Sequence, residues 1–485
     1  MSTPSAPADL PTTAGELARS GHPAATPKSV RTELRDNLLA RLRAGADPWP
    51  GIVGFDRTVL PQFERAVLAG HDVVLLGERG QGKTRLLRSL VALLDEWTPV
   101  IAGSEIGEHP GEPITPASRR RVADEGDDLP ITWRHRSERY AEKLATPDTS
   151  VADLIGDVDP VKVAEGRSLG DPETIHYGLV PRAHRGVVTI NELPDLAERI
   201  QVALLNVMEE RDIQVRGYTL RLPLDIMLVA SANPEDYTNR GRIITPLKDR
   251  FGAEVRTHYP LEIAGEIALV HQEAHLVADV PDHLVEVLAR FTRHLRGSGA
   301  IDQRSGVSAR FSIAAAETVA AAALRRAAVT GEDAGGASGA TGYGAVARPV
   351  DLEAVPPVLR GKLEFESGEE GREAELLTHL LRRSISETAR ARLAGVDLAP
   401  LADGVSALEG DRRVVTGDRI AAKDVVDALP SISVVYTVAE RLGAAGTEAP
   451  GPLASAVELA LEHLYLTRKL AKDDDAEDGT VAYGG

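Results

Sequence analysis

Cysteine is absent from all 485 residues. That excludes disulfides and thiolate metal sites and fits a reducing compartment. Aromatic residues make up only 4% of the chain, while 43% is hydrophobic, so its cores must be built mainly from Leu, Val, Ile and Ala. No apolar run reaches the roughly 20 residues of a membrane span. The first residues also lack the apolar core of a secretion signal. A cytoplasmic protein is the expectation. Positive charge is in deficit as well: 55 Lys and Arg against 73 Asp and Glu leave a net charge of −18. A protein that coats nucleic acid nonspecifically needs the opposite balance. The longest basic run is the triplet Arg119-Arg120-Arg121, which reads as a solvated loop. His271 and His275 share a helix face. Glu273 points to the other side, so no metal-ligand pattern results.

What is present is concentrated in one stretch. Asp72-Val-Val-Leu-Leu-Gly77-Glu78-Arg79-Gly80-Gln81-Gly82-Lys83-Thr84 runs into Leu86, Leu87, Leu90 and Val91 at helical spacing. It reads strand, glycine loop, helix, and matches G-x-x-x-x-G-K-[ST] at every fixed position. Backbone N–H groups in such a loop turn inward around phosphate oxygens. Lys83 reaches the β- and γ-phosphates, and the Thr84 hydroxyl ligates Mg²⁺. The expected cofactors are ATP and Mg²⁺.

The chain around this motif has a clear change of character. Residues 1–28 are rich in Pro, Ala, Ser and Thr and read as disordered. Val30 to Arg43 reads as a short amphipathic helix. From Pro50 to about Pro260, short apolar strands alternate with helices, the pattern of a parallel α/β sheet. Strands are expected at Asp72–Leu76, at Thr98–Ile101 or Ile131–Trp133, at Gly186–Ile190, Asp225–Ala230 and Glu254–His258. The polar segment Gly103–Asp128 reads as a surface insertion. Beyond Tyr259 the pattern turns helical. The expected divisions are an α/β domain at 29–260, a helical lid at 261–330, a Gly/Ala/Ser-rich linker at 331–348, a helical region at 349–470 and a solvated acidic tail at 471–485.

A phosphate loop needs an acidic partner at the end of a second buried strand. Arg185-Gly-Val-Val-Thr-Ile-Asn191-Glu192 supplies the candidate, since ligands bind at the carboxyl ends of strands in open α/β sheets. Glu192 is placed to polarise an attacking water. Asn191 stands where a carboxylate usually orders Mg²⁺-bound water. The same residues would also serve as a helix start capped by Asn191. Asn191→Asp is expected to raise turnover or Mg²⁺ affinity. Asn233, after the strand ending Val229-Ala-Ser-Ala, either bridges the γ-phosphate and the lytic water or makes an Asn-Pro turn. Arg250, in Thr245-Pro-Leu-Lys-Asp-Arg-Phe, is either an arginine finger or half of a surface Asp–Arg pair. Arg310 starts an Ala-rich helix.

In order along the chain, these residues resemble an AAA+ ATPase of the magnesium-chelatase ATPase-subunit and MoxR group. Ile52-Val53-Gly54 resembles the box that contacts adenine, and Gly77–Thr84 the Walker A loop. Asp153–Asp159 through Gly178–Gly186 resembles the helix-2 insert (about 153–178) and its run into Walker B. Leu205–Arg211 followed by Asp212–Leu222 resembles the helix and hairpin before sensor 1. The resemblance implies that Glu192 is the catalytic carboxylate, Asn233 sensor 1, Arg250 an arginine finger acting on a neighbouring subunit and Arg310 sensor 2. Asn191 in place of Asp is the departure, and it implies slow hydrolysis. The resemblance further implies a self-assembled ring, with six subunits expected, and a partner protein carrying a von Willebrand factor A domain. Two other functions stay open: a nucleotide switch or scaffold with little hydrolysis, and a DNA-acting AAA+ transcription regulator or helicase. The net charge and the lack of a helix-turn-helix or zinc pattern weigh against nucleic acid.

Overall fold

The computed structural model describes residues 4–164, 172–210, 213–215, 218–220, 222–233, 242–302, 306–332, 344–368, 371–408, 413–446, 449–475 and 480–484. The chain divides into two compact units, Met1–His258 and Tyr259–Gly485.

The first unit is built on a parallel five-stranded sheet. Its strands are β1 (Val73–Leu76), β2 (Tyr140–Leu144), β3 (Gly186–Asn191), β4 (Ile226–Ala232) and β5 (Ala253–Arg256), in the spatial order β5-β1-β4-β3-β2. β1, β3 and β4 are buried along their whole length, as a parallel sheet covered on both faces requires. Side chains alternate between two cores. Val73, Leu75, Val187 and Val229 pack with Leu34, Phe63, Leu86 and Leu87 on one face. Val74, Leu76, Val188 and Ile190 pack with Leu193, Ile200 and Leu204 on the other. The register sets Leu76 beside Ala232 and Ala230 beside Ile190, so the three central strands end together. No helix among the described residues is long and apolar enough to cross a membrane.

The sheet corrects the expected strand list. Neither Thr98–Ile101 nor Ile131–Trp133 joins it. Trp97–Ile101 and Ile131–His135 pair with each other as an antiparallel ribbon. The edge strand is instead β2, whose Tyr-Ala-Glu-Lys-Leu sequence carries charges because it is covered on fewer sides than β3. Gly103–Asp128 is not a bare surface insertion either. Thr115 caps a helix at Pro116–Glu125, and buried Glu108 accepts from the backbone N–H groups of Ile114 and Thr115 at 2.8 and 2.6 Å. The N-terminal segment, expected to be disordered, holds a helix at Ala14–Arg19 capped by Thr13, with Leu17 buried. The ribbon fixes it: Trp133 Nε1 donates to Pro11 O at 2.8 Å, and Ile131 N to Thr12 O at 2.9 Å.

The second unit is helical around one core that runs from Val270 to Tyr483. Its longest helix, Ala309–Thr330, starts at the Ser308 cap and ends at Gly331 in the left-handed region. The expected split into a lid and a separate helical region does not appear in this packing. Ala345, Ala347 and Arg348, within the expected linker, are buried, while residues 333–343 lie outside the described ones. The described parts of the acidic tail are structured. Thr480–Tyr483 pairs on one side with Val414–Gly417 and on the other with Lys472–Asp475 in a three-stranded sheet, and Tyr483 is buried.

Candidate functional site

The site grows from the shared ends of β1, β4 and β3. After Leu76 the backbone passes through Gly80 and Gly82, both left-handed at φ 75° and 74°. It enters a helix at Lys83–Ser89. A β-carbon at Gly77 would lie 1.9 Å from Thr257 Oγ1, so only glycine allows β1 and β5 to close at this point. Gln81 is buried inside the loop. Its Oε1 accepts from Glu78 N at 3.1 Å and from Thr257 Oγ1 at 2.8 Å. Arg79 is exposed at the tip. A cavity of about 350 Å³ opens beside the loop, bordered by Gly77, Glu78, Gln81, Lys248, Arg256 and Thr257.

Lys83 Nζ donates to Glu78 O and to Asn233 Oδ1, both at 2.8 Å, and to Gly77 O. Thr84 Oγ1 donates to Asn191 Oδ1 at 3.2 Å, and Ser231 Oγ donates to the same oxygen at 3.0 Å. Asn233 Nδ2 donates to Glu192 Oε2 at 3.2 Å. Thus Lys83, Thr84, Asn191, Glu192 and Asn233, chosen from distant parts of the sequence, meet in one hydrogen-bonded cluster. Glu192 has φ 58°, in the left-handed region. A non-glycine residue there costs about 1–3 kcal/mol and is typical of functional sites.

Other expected site residues stand on other elements. Arg250 ends the Thr245–Arg250 helix and pairs with Glu209 of the Glu198–Glu210 helix. Arg310 stands in the first turn of the long helix of the second unit. Ile52 packs on the core shared with Leu75 and Leu86, and Val53 is half-buried beside it in sequence. Of the expected pre-sensor hairpin, Ile213–Val215 and Tyr218–Leu220 pair as antiparallel strands.

Two residues were missed from the sequence. Ser231 holds Asn191 as described. Glu142, in β2, accepts from Asn191 Nδ2 at 2.8 Å and from Arg88 Nε and Nη2 at 2.7 and 2.8 Å. The Arg88 guanidinium holds the Glu142 carboxyl below its ordinary range, against the upward pull of burial. A period-two reading of Tyr140, Glu142 and Leu144 was the available signal.

Comparison with known proteins places this geometry. Residues 166–250 match the sigma-54 interaction domain family. The magnesium-chelatase subunit ChlI of Anabaena variabilis is 28% identical over 216 residues, which are 44% of this chain and 60% of that protein. The magnesium-chelatase 38 kDa subunit of Cereibacter sphaeroides is 29% identical over 263 residues, 52% of this chain and 70% of that one. Over about half its length, the chain is similar to the ATPase subunits of magnesium chelatase. It spans 60% and 54% of the length of the Anabaena and Nostoc ChlI proteins. A solved assembly described as the complex between subunits BchI and BchD of magnesium chelatase is similar at 21% identity and a TM-score of 0.34, covering 70% of this chain and 95% of that one. This similarity implies the use of ATP and Mg²⁺. The residues fit both: an ammonium for phosphate oxygens, and a hydroxyl and an amide oxygen for a hard cation.

Proposed function

We propose that this chain is an ATP-hydrolysing AAA+ motor that assembles into a ring and remodels or activates a partner protein. The observation that carries the ATPase reading is the convergence of Lys83, Thr84, Asn191, Glu192 and Asn233 at the carboxyl ends of three adjacent parallel strands. Lys83 would hold the β- and γ-phosphates, and Thr84 with Asn191 would hold Mg²⁺. The bound ion neutralises phosphate charge. Glu192 orients and deprotonates the attacking water, and Asn233 bridges Glu192 and the γ-phosphate position. With Asn191 in place of a carboxylate, a slow basal rate is expected. Arg250, paired with an exposed Glu209, is available to a neighbouring subunit at small cost. Arg310 is assigned the sensor-2 role on resemblance alone.

The partner is proposed to be a protein with a von Willebrand factor A domain, as the resemblance to chelatase and MoxR-type motors implies. The 153–178 insert and the 212–222 hairpin are its proposed contacts. Titration calorimetry with Mg·ATP and steady-state phosphate release test the ATPase; no binding by the wild-type chain ends the reading. Glu192→Gln, loaded with ATP, tests the partner by co-purification. The sigma-54 interaction domain match favours one second reading, a DNA-acting regulator. Nucleic acid captured by the ATP-loaded variant would move that reading ahead. Mixing Lys83→Ala with Arg250→Ala subunits should restore activity where an intact loop meets an intact finger.

A further inference from the structure

The position facing Thr84 carries an amide, and one strand away stands a carboxylate. Asn191 Oδ1 faces Thr84 Oγ1 and Ser231 Oγ, while Asn191 Nδ2 donates to Glu142 Oε1 at 2.8 Å. Only the oxygen end of an amide can meet a hard cation or accept from its water. An ionised carboxylate is an acceptor without a donor, so the neighbour of Glu142 must present N–H. Glu142 therefore sets which way the Asn191 amide points. The reverse orientation would put Oδ1 against Glu142 Oε1.

Glu142 is itself held firmly. Arg88 grips both carboxylate oxygens, and Tyr140 Oη donates to Oε2 at 3.2 Å. Arg88 lies on the helix that begins at Lys83. One hydrogen-bonded path thus runs from Arg88 through Glu142 and Asn191 to Thr84, and joins that helix to β2 and β3.

We propose that Glu142 is the positioning residue of the metal half of this site. It aims Asn191 Oδ1 at the cation position and brings, one strand away, the negative charge that the amide lacks. The inference rests on the reading that Gly77–Thr84 binds a Mg²⁺–nucleotide. It reverses the expectation that Asn191→Asp improves the site: an aspartate there sets a second carboxylate oxygen close to the place now 2.8 Å from Glu142 Oε1, and like charges repel. Asn191 and Glu142 form a matched pair.

The test is calorimetric titration of ADP, once with Mg²⁺ and once with a chelator, on the full chain and on Glu142→Gln, Asn191→Asp and the double variant. Wild type should bind more tightly with Mg²⁺. Glu142→Gln should lose about tenfold or more of that gain, the usual range for a group that orients a metal ligand, and should be unchanged in chelator. Asn191→Asp should also lose it. The double variant, with the charge moved to position 191 and the amide to 142, should recover most of it. A Glu142→Gln chain that keeps the full metal gain overturns the proposal, as does a double variant no better than Glu142→Gln. If Glu142→Gln does not fold, the double variant decides: a retained gain supports the pair, and its loss overturns it. Failure of the wild-type chain to bind ADP under either condition overturns the nucleotide reading and this one with it.

Discussion

The two units each contain a cluster of charged and polar side chains, and they treat them in opposite ways. In the second unit Arg348, Glu458, Arg326 and Asp351 are all buried. Arg348 Nη2 meets Glu458 Oε1 at 3.0 Å, and Arg326 Nη2 meets Asp351 Oδ2 at 3.1 Å. Arg348 N also donates to Asp351 Oδ2 at 2.8 Å. Each cation there faces an anion of its own unit. In the first unit Lys83 faces backbone carbonyls and an amide, Thr84 faces an amide, and a cavity opens beside the loop. Sealed charges fix a packing. Contacts such as those of Lys83 with Glu78 O and Asn233 Oδ1 can be exchanged for a ligand's. The difference separates a structural cluster from a binding one without reference to any relative.

The largest expected effect tests the sealed side. Arg348→Met removes the guanidinium and leaves Glu458 buried without its partner. Burial already raises the Glu458 carboxyl, and Arg348 pulls it back. The variant should lose about 3–5 kcal/mol of stability, the usual cost of breaking a buried pair, with the affinity for Mg·ATP unchanged. Chemical denaturation and calorimetry measure the two sides. A variant that instead loses nucleotide affinity at full stability breaks the comparison.

On the open side, the expected effects fall on binding and turnover while the fold persists. Lys83→Ala should weaken Mg·ATP binding by about 10–100-fold, the worth of charge-assisted hydrogen bonds. Glu192→Gln should keep binding and lose about 10²-fold or more in phosphate release. It should also melt no lower than wild type, since the left-handed backbone at Glu192 stores strain either way. A Glu192→Gln chain that turns over at the wild-type rate would place the base elsewhere.

Acid should separate the units next. Burial and the nearby Arg185 guanidinium hold His184 down to about 3, and His109 is held to about 4 for the same reasons. Both are neutral in the folded first unit. Once unfolded they bind protons below the ordinary histidine value near 6.5, so stability is present above that value and is lost as pH falls. Each contributes a loss on the order of 2 kcal/mol between pH 7 and 5. The second unit has one fully buried histidine of this kind among the described residues, His283, held to about 4 by burial. Hydrogen exchange at pH 7 and 5 should show the larger loss of protection in the first unit. Equal losses would mean that these histidines relax or hydrate.

The same contrast explains what the sequence made legible. β1, β3 and β4 are buried on both faces, so their residues form unbroken apolar runs, and the polar residues after them stand out. Lys83, Thr84, Asn191, Glu192 and Asn233 could be read for that reason. β2 could not, because an edge strand needs few apolar residues, and Glu142 went unread with it. Residues 1–28 look disordered by composition, yet Pro11 and Thr12 find their partners in Trp133 and Ile131, far along the chain. The unity of the second unit was hidden in the same way. Arg348 looks like the end of a flexible stretch until Glu458 is brought to it. A carboxylate and a guanidinium at such separations leave no local pattern.

The smallest expected effect falls between the two kinds of cluster. Arg250 and Glu209 are paired, but their side chains are 45% and 39% exposed. Water and salt screen such a pair, and it contributes about 0–1 kcal/mol. Glu209→Gln should therefore shift the denaturation midpoint by less than about 1 kcal/mol. Nucleotide binding by isolated subunits should not change, since Glu209 has no described contact with the Lys83 cluster. If Arg250 serves a neighbouring subunit, it must leave Glu209 to do so, and a weak tie makes that exchange easy. Turnover in concentrated samples should then hold or rise. A loss of 3 kcal/mol or more, as for Arg348→Met, would put this pair among the sealed charges. Arg250 would then be a structural residue of the Thr245–Arg250 helix, and the finger would have to be sought elsewhere.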